Sequence, residues 1–127
     1  MKQHSFAWAG AVLCAASVAM ATTLASAAPP PRLSDMQMKS RSTQKYTCAT
    51  GKILHVTYLN AVNGQSFALV PVKGQQLLFV NTLSGSGAKY QAGSYTWWTK
   101  GPHADLYDAM GGENAPPIIS DCVTIVR

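Results

Sequence analysis

Gln65-Ser66-Phe67-Ala68-Leu69-Val70-Pro71-Val72-Lys73-Gly74-Gln75-Gln76-Leu77-Leu78-Phe79-Val80-Asn81-Thr82 reads as two apolar runs joined by a turn at Lys73-Gly74. Each run is eight residues, rich in β-branched and aromatic side chains, and too short for a stable helix. The same texture extends outward on both sides. Upstream, Lys52 to Leu59 alternates, with Leu54, Val56 and Tyr58 on one face and Ile53, His55 and Thr57 on the other. Asn63-Gly64 is a strong hairpin signal between that strand and the quoted pair. Lys45 to Cys48 makes a short first strand. Downstream, Ala88 to Gln91, Ser94 to Thr99 and His103 to Tyr107 are three more, and Ile118 to Val126 contains the last. No stretch from Tyr46 onward sustains a helical period. Eight short strands predict an all-β fold: a small eight-stranded antiparallel β-barrel, with a two-sheet sandwich as the alternative.

Length and composition agree. The chain has 127 residues, 47% hydrophobic and 12% charged, which allows one folded domain and excludes a collagen, a coiled coil or a largely disordered chain. Lys2 and His4, an uncharged run from Phe6 to Leu24 and Ala25-Ser26-Ala27 form the pattern of a secretory signal peptide over residues 1–27. A transmembrane anchor is the alternative. Leu13 precedes Cys14 and the apolar run has hardly begun there, so Cys14 is read as a removed residue and the product as soluble, periplasmic and without a stable membrane anchor. Residues 28–44, with three prolines and no periodicity, are expected to be a flexible leader, and 45–127 the domain. Loss of residues 1–27 removes Lys2 and no acid, taking the net charge from +5 to +4. Most of that excess lies between Ala28 and Lys45, as Arg32, Lys39, Arg41 and Lys45 against Asp35.

Export leaves two cysteines, Cys48 and Cys122, in an oxidising compartment. One bridge between them closes a loop of about 74 residues and ties the first strand to the last. No C-x-x-C pair or His cluster accompanies them, so no metal is expected. No cofactor is expected either. No nucleophile, base and orienter set can be assembled, so an enzyme is not expected. Asp105 and Asp108 resemble a carboxylate pair only superficially. There is no phosphate-binding loop and no basic-aromatic stripe for nucleic acid.

In an up-and-down meander alternate loops share one end. The loop Leu83 to Gly87 and the turn Lys100 to Pro102 then lie at the same rim, with Ser86 and Lys100 roughly 5–10 Å apart. Glycines flank both, which lets the backbone protrude. Ser84-Gly85-Ser86-Gly87-Ala88-Lys89-Tyr90 followed by Trp98-Thr99-Lys100-Gly101 resembles the paired signature of the bacterial inhibitors of c-type lysozyme, the MliC/PliC family. Tyr46-Thr47-Cys48, the strand from Gly51 to Tyr58 and the closing Cys122 extend the resemblance over nearly the whole domain. It implies an eight-stranded barrel whose serine and lysine, here Ser86 and Lys100, enter the enzyme's cleft and engage its catalytic carboxylates. Gly85, Gly87, Tyr90, Gly101 and His103 complete the expected lysozyme-binding surface.

Two features depart from the family pattern. Pro102-His103 follows the lysine-glycine where acidic residues are common, and the loop Gly111 to Pro117 is long. Enzymes of this type are typically basic, so steering toward a chain of +4 is neutral or repulsive. Trp97 and Trp98 point to opposite faces, one to the core and one to the rim. A periplasmic barrel holding a small envelope ligand, a glycan or lipid, is the second functional reading. Homodimerisation is left open.

Overall fold

Alternating side chains make a sheet with one wet and one dry face, and closing that sheet on itself removes both the dry face and the free edges from solvent. The computed structural model shows this arrangement. It describes Gly10 and residues 25–30 and 32–125. The chain divides into two units, 1–30 and 31–127. In the first, Gly10 and residues 25–30 are exposed and have no regular structure, while Cys14 and most of the expected signal peptide lie outside the described residues.

The second unit is the domain. Its strands are β1 (Met38–Thr47), β2 (Ile53–Ala61), β3 (Ser66–Val72), β4 (Gln75–Thr82), β5 (Ala88–Ala92), β6 (Tyr95–Lys100), β7 (His103–Asp108) and β8 (Ile119–Thr124). Neighbours in sequence are neighbours in space, all antiparallel, and β1 pairs with β8 to close the barrel. Three short 3-10 turns, at Leu33–Asp35, Ala49–Gly51 and Ala109–Gly111, lie between or before strands. At the hairpin between β3 and β4, Lys73 and Gly74 both take positive φ, 50° and 80°. This is the two-residue type I′ geometry whose twist matches that of the flanking strands.

One boundary differs from expectation. β1 starts at Met38, inside the stretch read as a flexible leader over 28–44, and is ten residues long. Its first half overhangs the barrel. It pairs with β2 from Met38 to Thr47, but with β8 only at Tyr46 and Thr47. Polar ladders hold it: the Thr43 and Thr57 hydroxyls lie 2.8 Å apart, and the Asn60 amide donates to Ser40 Oγ at 3.0 Å. A strand with solvent on both faces has no apolar alternation, so its sequence carries no strand signal.

Trp97, Phe79, Val56, Val70, Ala68, Leu106 and Cys122 are fully buried in the barrel's interior. Trp97 meets Tyr46 edge-to-face, ring centroids 5.2 Å apart. Its indole N–H donates to Tyr58 Oη at 2.9 Å, and the Tyr58 and Tyr46 hydroxyls are 2.7 Å apart. Since the Tyr46 proton goes to Gln44 Oε1 at 3.0 Å, Tyr58 is the donor to Tyr46. The buried aromatic polar groups thus form one directed chain ending at the barrel's mouth, as buried polar groups require. Burial pushes the Tyr58 and Tyr46 hydroxyls above the ordinary tyrosine range, so both stay neutral. Cys48 and Cys122 are joined by a disulfide next to the β1–β8 seam, which has only two register pairs.

Candidate functional site

The β4–β5 loop and the β6–β7 hairpin lie at one rim because each follows a strand running in the same direction. In the hairpin, Lys100 pairs with His103 across Gly101 and Pro102. Gly101 has φ +57°. A positive φ at the first central position and proline's fixed φ at the second suit a type II′ turn. The Pro102-His103 departure therefore leaves the tight turn intact. Thr124 N–H donates to Pro102 O at 2.9 Å, tying the tip to the end of β8. Register places His103 opposite Lys100, and both are exposed.

The other tip is held more elaborately. Ser86 is exposed, and its carbonyl oxygen accepts from the Ser84 hydroxyl and from Trp98 Nε1, the latter at 2.9 Å. Gly87 has φ +62°, and a Cβ there would overlap Thr99 O and stand 2.9 Å from Lys100 Cγ. The loop backbone thus rests directly on the end of β6, an approach open only to glycine. Gly85 is different: nothing lies within 4 Å of where its Cβ would stand.

Trp98 and Lys100 are two apart on β6 and share its outer face. The Lys100 ammonium sits 3.9 Å from the centroid of the Trp98 ring system, and that of Lys89, directly across on β5, at 4.0 Å. Ser86 and Lys100 therefore meet on one indole, at the rim where the topology predicted them. Sequence reasoning placed one of Trp97 and Trp98 at the rim without saying which, and gave Lys89 no role beyond its place in the serine motif. The signal was present as Trp98 and Lys100 two residues apart in a strand, but the indole's reach to Ser86 depends on the fold.

Tyr90 does not share the outer face that carries Trp98 and Lys100. It points inward, opposite Trp97, with its ring centroid 5.7 Å from that of Tyr58. Desolvation raises its hydroxyl pKa. With Gln44, Tyr58, Asn60, Thr99 and Gly101 it lines a cavity of about 300 Å³ at the mouth. The two aspartates are occupied structurally. Asp105 accepts from Asp121 N–H at 2.8 Å, where a bulge in β8 takes that group out of the ladder. Asp108 accepts from Met110 N–H at 3.0 Å, and this bond, helped by Ser94, holds its carboxyl below the usual carboxylate range. Among the described residues no group of three or more His, Cys, Asp or Glu is placed to hold a metal ion.

Comparison with known proteins adds the family. A family profile described as membrane-bound lysozyme-inhibitor of c-type lysozyme matches residues 46–115. A membrane-bound lysozyme inhibitor of C-type lysozyme from Cupriavidus necator is 39% identical over 114 residues, covering 86% of this chain and 90% of the relative. Its counterpart from Pseudomonas aeruginosa is 48% identical over 81 residues, 62% of each chain. Among solved structures, P. aeruginosa MliC in complex with hen egg white lysozyme superimposes with TM-score 0.56 at 35% identity, covering 78% of this chain and 92% of that one. PliC-St, the periplasmic lysozyme inhibitor of C-type lysozyme from Salmonella typhimurium, does so with TM-score 0.59 at 25% identity, covering 68% and 100%.

Proposed function

The chain belongs to the family of membrane-bound lysozyme inhibitors of c-type lysozyme, and from that premise we propose that it inhibits a c-type lysozyme in the bacterial envelope by plugging the enzyme's cleft with Ser86 and Lys100. The relatives are named as inhibitors of an enzyme, and no chemistry on this chain is needed. In a retaining glycosidase the two catalytic carboxyl groups stand about 5–5.5 Å apart, one ionised and one protonated. An ammonium pairs with the first. A serine hydroxyl donates to one carboxyl and accepts from the other. Occupied in this way, the cleft cannot take substrate.

The observation that carries this reading is the meeting of Ser86 and Lys100 on the outer side of one rim, both exposed and both anchored to Trp98. His103, opposite Lys100, adds a contact at the edge of the cleft. Tyr90 acts from inside the mouth, shaping the floor beneath the tips. The net charge of +4 after loss of residues 1–27 opposes long-range attraction to a basic enzyme, so affinity rests on the desolvated contacts of the tips. Export through a signal peptide cleaved after Ala27, without lipid on Cys14, places the inhibitor in the periplasm. The ligand-barrel reading has less support, because Trp97, Phe79 and Leu106 fill the interior that a ligand would need.

A turbidity assay of cell-wall lysis by a c-type lysozyme tests the proposal. Mature protein in slight excess is expected to stop lysis. Undiminished lysis at large excess would sink the reading.

A further inference from the structure

We infer that Trp98 is the positioning residue of this rim: one indole sets the Ser86 loop and the Lys100 ammonium before any partner arrives. The inference rests on the lysozyme-inhibitor reading for its purpose, but not for its geometry. A carbonyl oxygen has two lone pairs, and those of Ser86 are both engaged, one by the Ser84 hydroxyl and one by the Trp98 N–H. The five-residue loop between β4 and β5 is exposed along much of its length, and this pair of bonds supplies the anchor at its tip. Lys100 is an exposed side chain on a flexible stem, and the ring face 3.9 Å from its ammonium is the feature that restrains it. Its Cγ stands 2.9 Å from where a Cβ on Gly87 would lie, so stem and loop run close together.

Lys89 sharpens the argument. Its ammonium lies 4.0 Å from the same ring centroid, so two like charges share one indole. The ring's negative faces make that arrangement tolerable, and an incoming carboxylate relieves it. A side chain held in place gives up less freedom on binding, and the gain appears as affinity without a new contact. Trp98 needs no contact with the partner to act in this way. Its own support comes from the outer face, where its ring lies 6.4 Å from that of Tyr107. It is not part of the buried core, so replacing it should leave the barrel folded.

The test uses Trp98→Phe and Trp98→Leu in the full mature protein. Nuclear magnetic resonance follows the Lys100 ε-methylene protons and the Ser86 and Gly87 amides in the free protein. Titration calorimetry against hen egg white lysozyme reads affinity. The Lys100 ε-methylene signals are expected upfield in the parent from the ring current. Phenylalanine keeps a ring but no donor, so the Lys100 shift should persist in part while the two amides move, and binding should weaken about fivefold. Leucine removes both, and binding should weaken about thirtyfold. In a Lys100→Ala background the leucine penalty should shrink severalfold, because part of it acts through that lysine.

Unshifted Lys100 signals in the parent, leucine binding as tightly as tryptophan, or an undiminished penalty in the Lys100→Ala background would each overturn the inference. The last result would make Trp98 a direct contact instead. Failure of the parent itself to bind lysozyme would refute the proposed function, and the free-protein spectra would then decide the positioning role alone.

Discussion

Gly87→Ala isolates the geometry of the first tip. An added Cβ would overlap the Thr99 carbonyl oxygen, which is backbone in a paired strand, and approach Lys100 Cγ at 2.9 Å, which is flexible and moves cheaply. Alanine at φ +62° also costs about 1–2 kcal/mol on conformational grounds. If the loop stayed in place, the protein would bear that strain and the overlap together. Releasing the loop sacrifices the Trp98–Ser86 and Ser84–Ser86 hydrogen bonds, about 0.5–1.5 kcal/mol each in an exposed setting. Release is the cheaper route, so destabilisation is capped near 1–3 kcal/mol, while Ser86 leaves its position. Each kcal/mol lowers Tm by about 4–8 °C in a domain of this size. Inhibition should fall about 10- to 100-fold, the loss of one well-placed polar contact in a desolvated cleft. Gly85→Ala is the control: with nothing within 4 Å it should change stability by less than about 0.5 kcal/mol. Thermal melts and lysis assays of both variants decide the matter. A Gly87→Ala protein that melts and inhibits like the parent would show that the loop does not rest on β6 as described.

Lys100→Ala should weaken lysozyme binding by about 2–5 kcal/mol because it strands a buried carboxylate, and Ser86→Ala by about 1–3, with the double variant costing less than the sum; calorimetry that found Lys100→Ala as tight as the parent would dismiss cleft plugging. The mature protein should show no reactive thiol when denatured without reductant. Reducing the Cys48–Cys122 bridge, which spans a sequence separation of 74, should cost about 4 kcal/mol by the chain-entropy argument, visible as a large drop in Tm. The folded-state pKa of Asp108 is held below its unfolded value. Its stabilising contribution is therefore complete above the unfolded carboxylate pKa, about 3.9, and is lost as pH falls through the lower folded value. Asp108→Ala should flatten that part of the acid limb in denaturation curves taken between about pH 5 and 2, and an unchanged limb would contradict the assigned hydrogen bond.

Seven of the eight strands were legible within one or two residues, because their alternation is the imprint of a wall with one dry face. Trp97 and Trp98 show the same logic at the scale of neighbours: consecutive positions in a strand point to opposite sides, and only the first is buried. The overhanging half of β1 left no such imprint. Its inward positions, Ser42 and Gln44, line a wet mouth, so polar side chains stand there at no desolvation cost and leave no apolar alternation. Tyr90 was grouped with the binding tips because it ends the serine motif, yet parity along β5 turns its ring into the mouth.

By itself, then, the sequence pointed to eight antiparallel strands in an up-and-down order, a barrel ahead of a two-sheet sandwich, and to a Cys48–Cys122 bridge once Cys14 is taken as removed, since periodicity, turn chemistry and cysteine number are local or countable properties; the roles of Ser86 and Lys100 came from the resemblance to the inhibitor family. Tertiary structure alone decided how the loops that bear them are held. The glycine at 87 matters because a carbonyl from β6 occupies the space beside it, and Trp98 matters because its N–H reaches a backbone oxygen twelve residues away in sequence. Contacts of that kind arise from the closure and stagger of strands, which place side chains from β5 and β6 on the same patch as a loop that neither strand encodes.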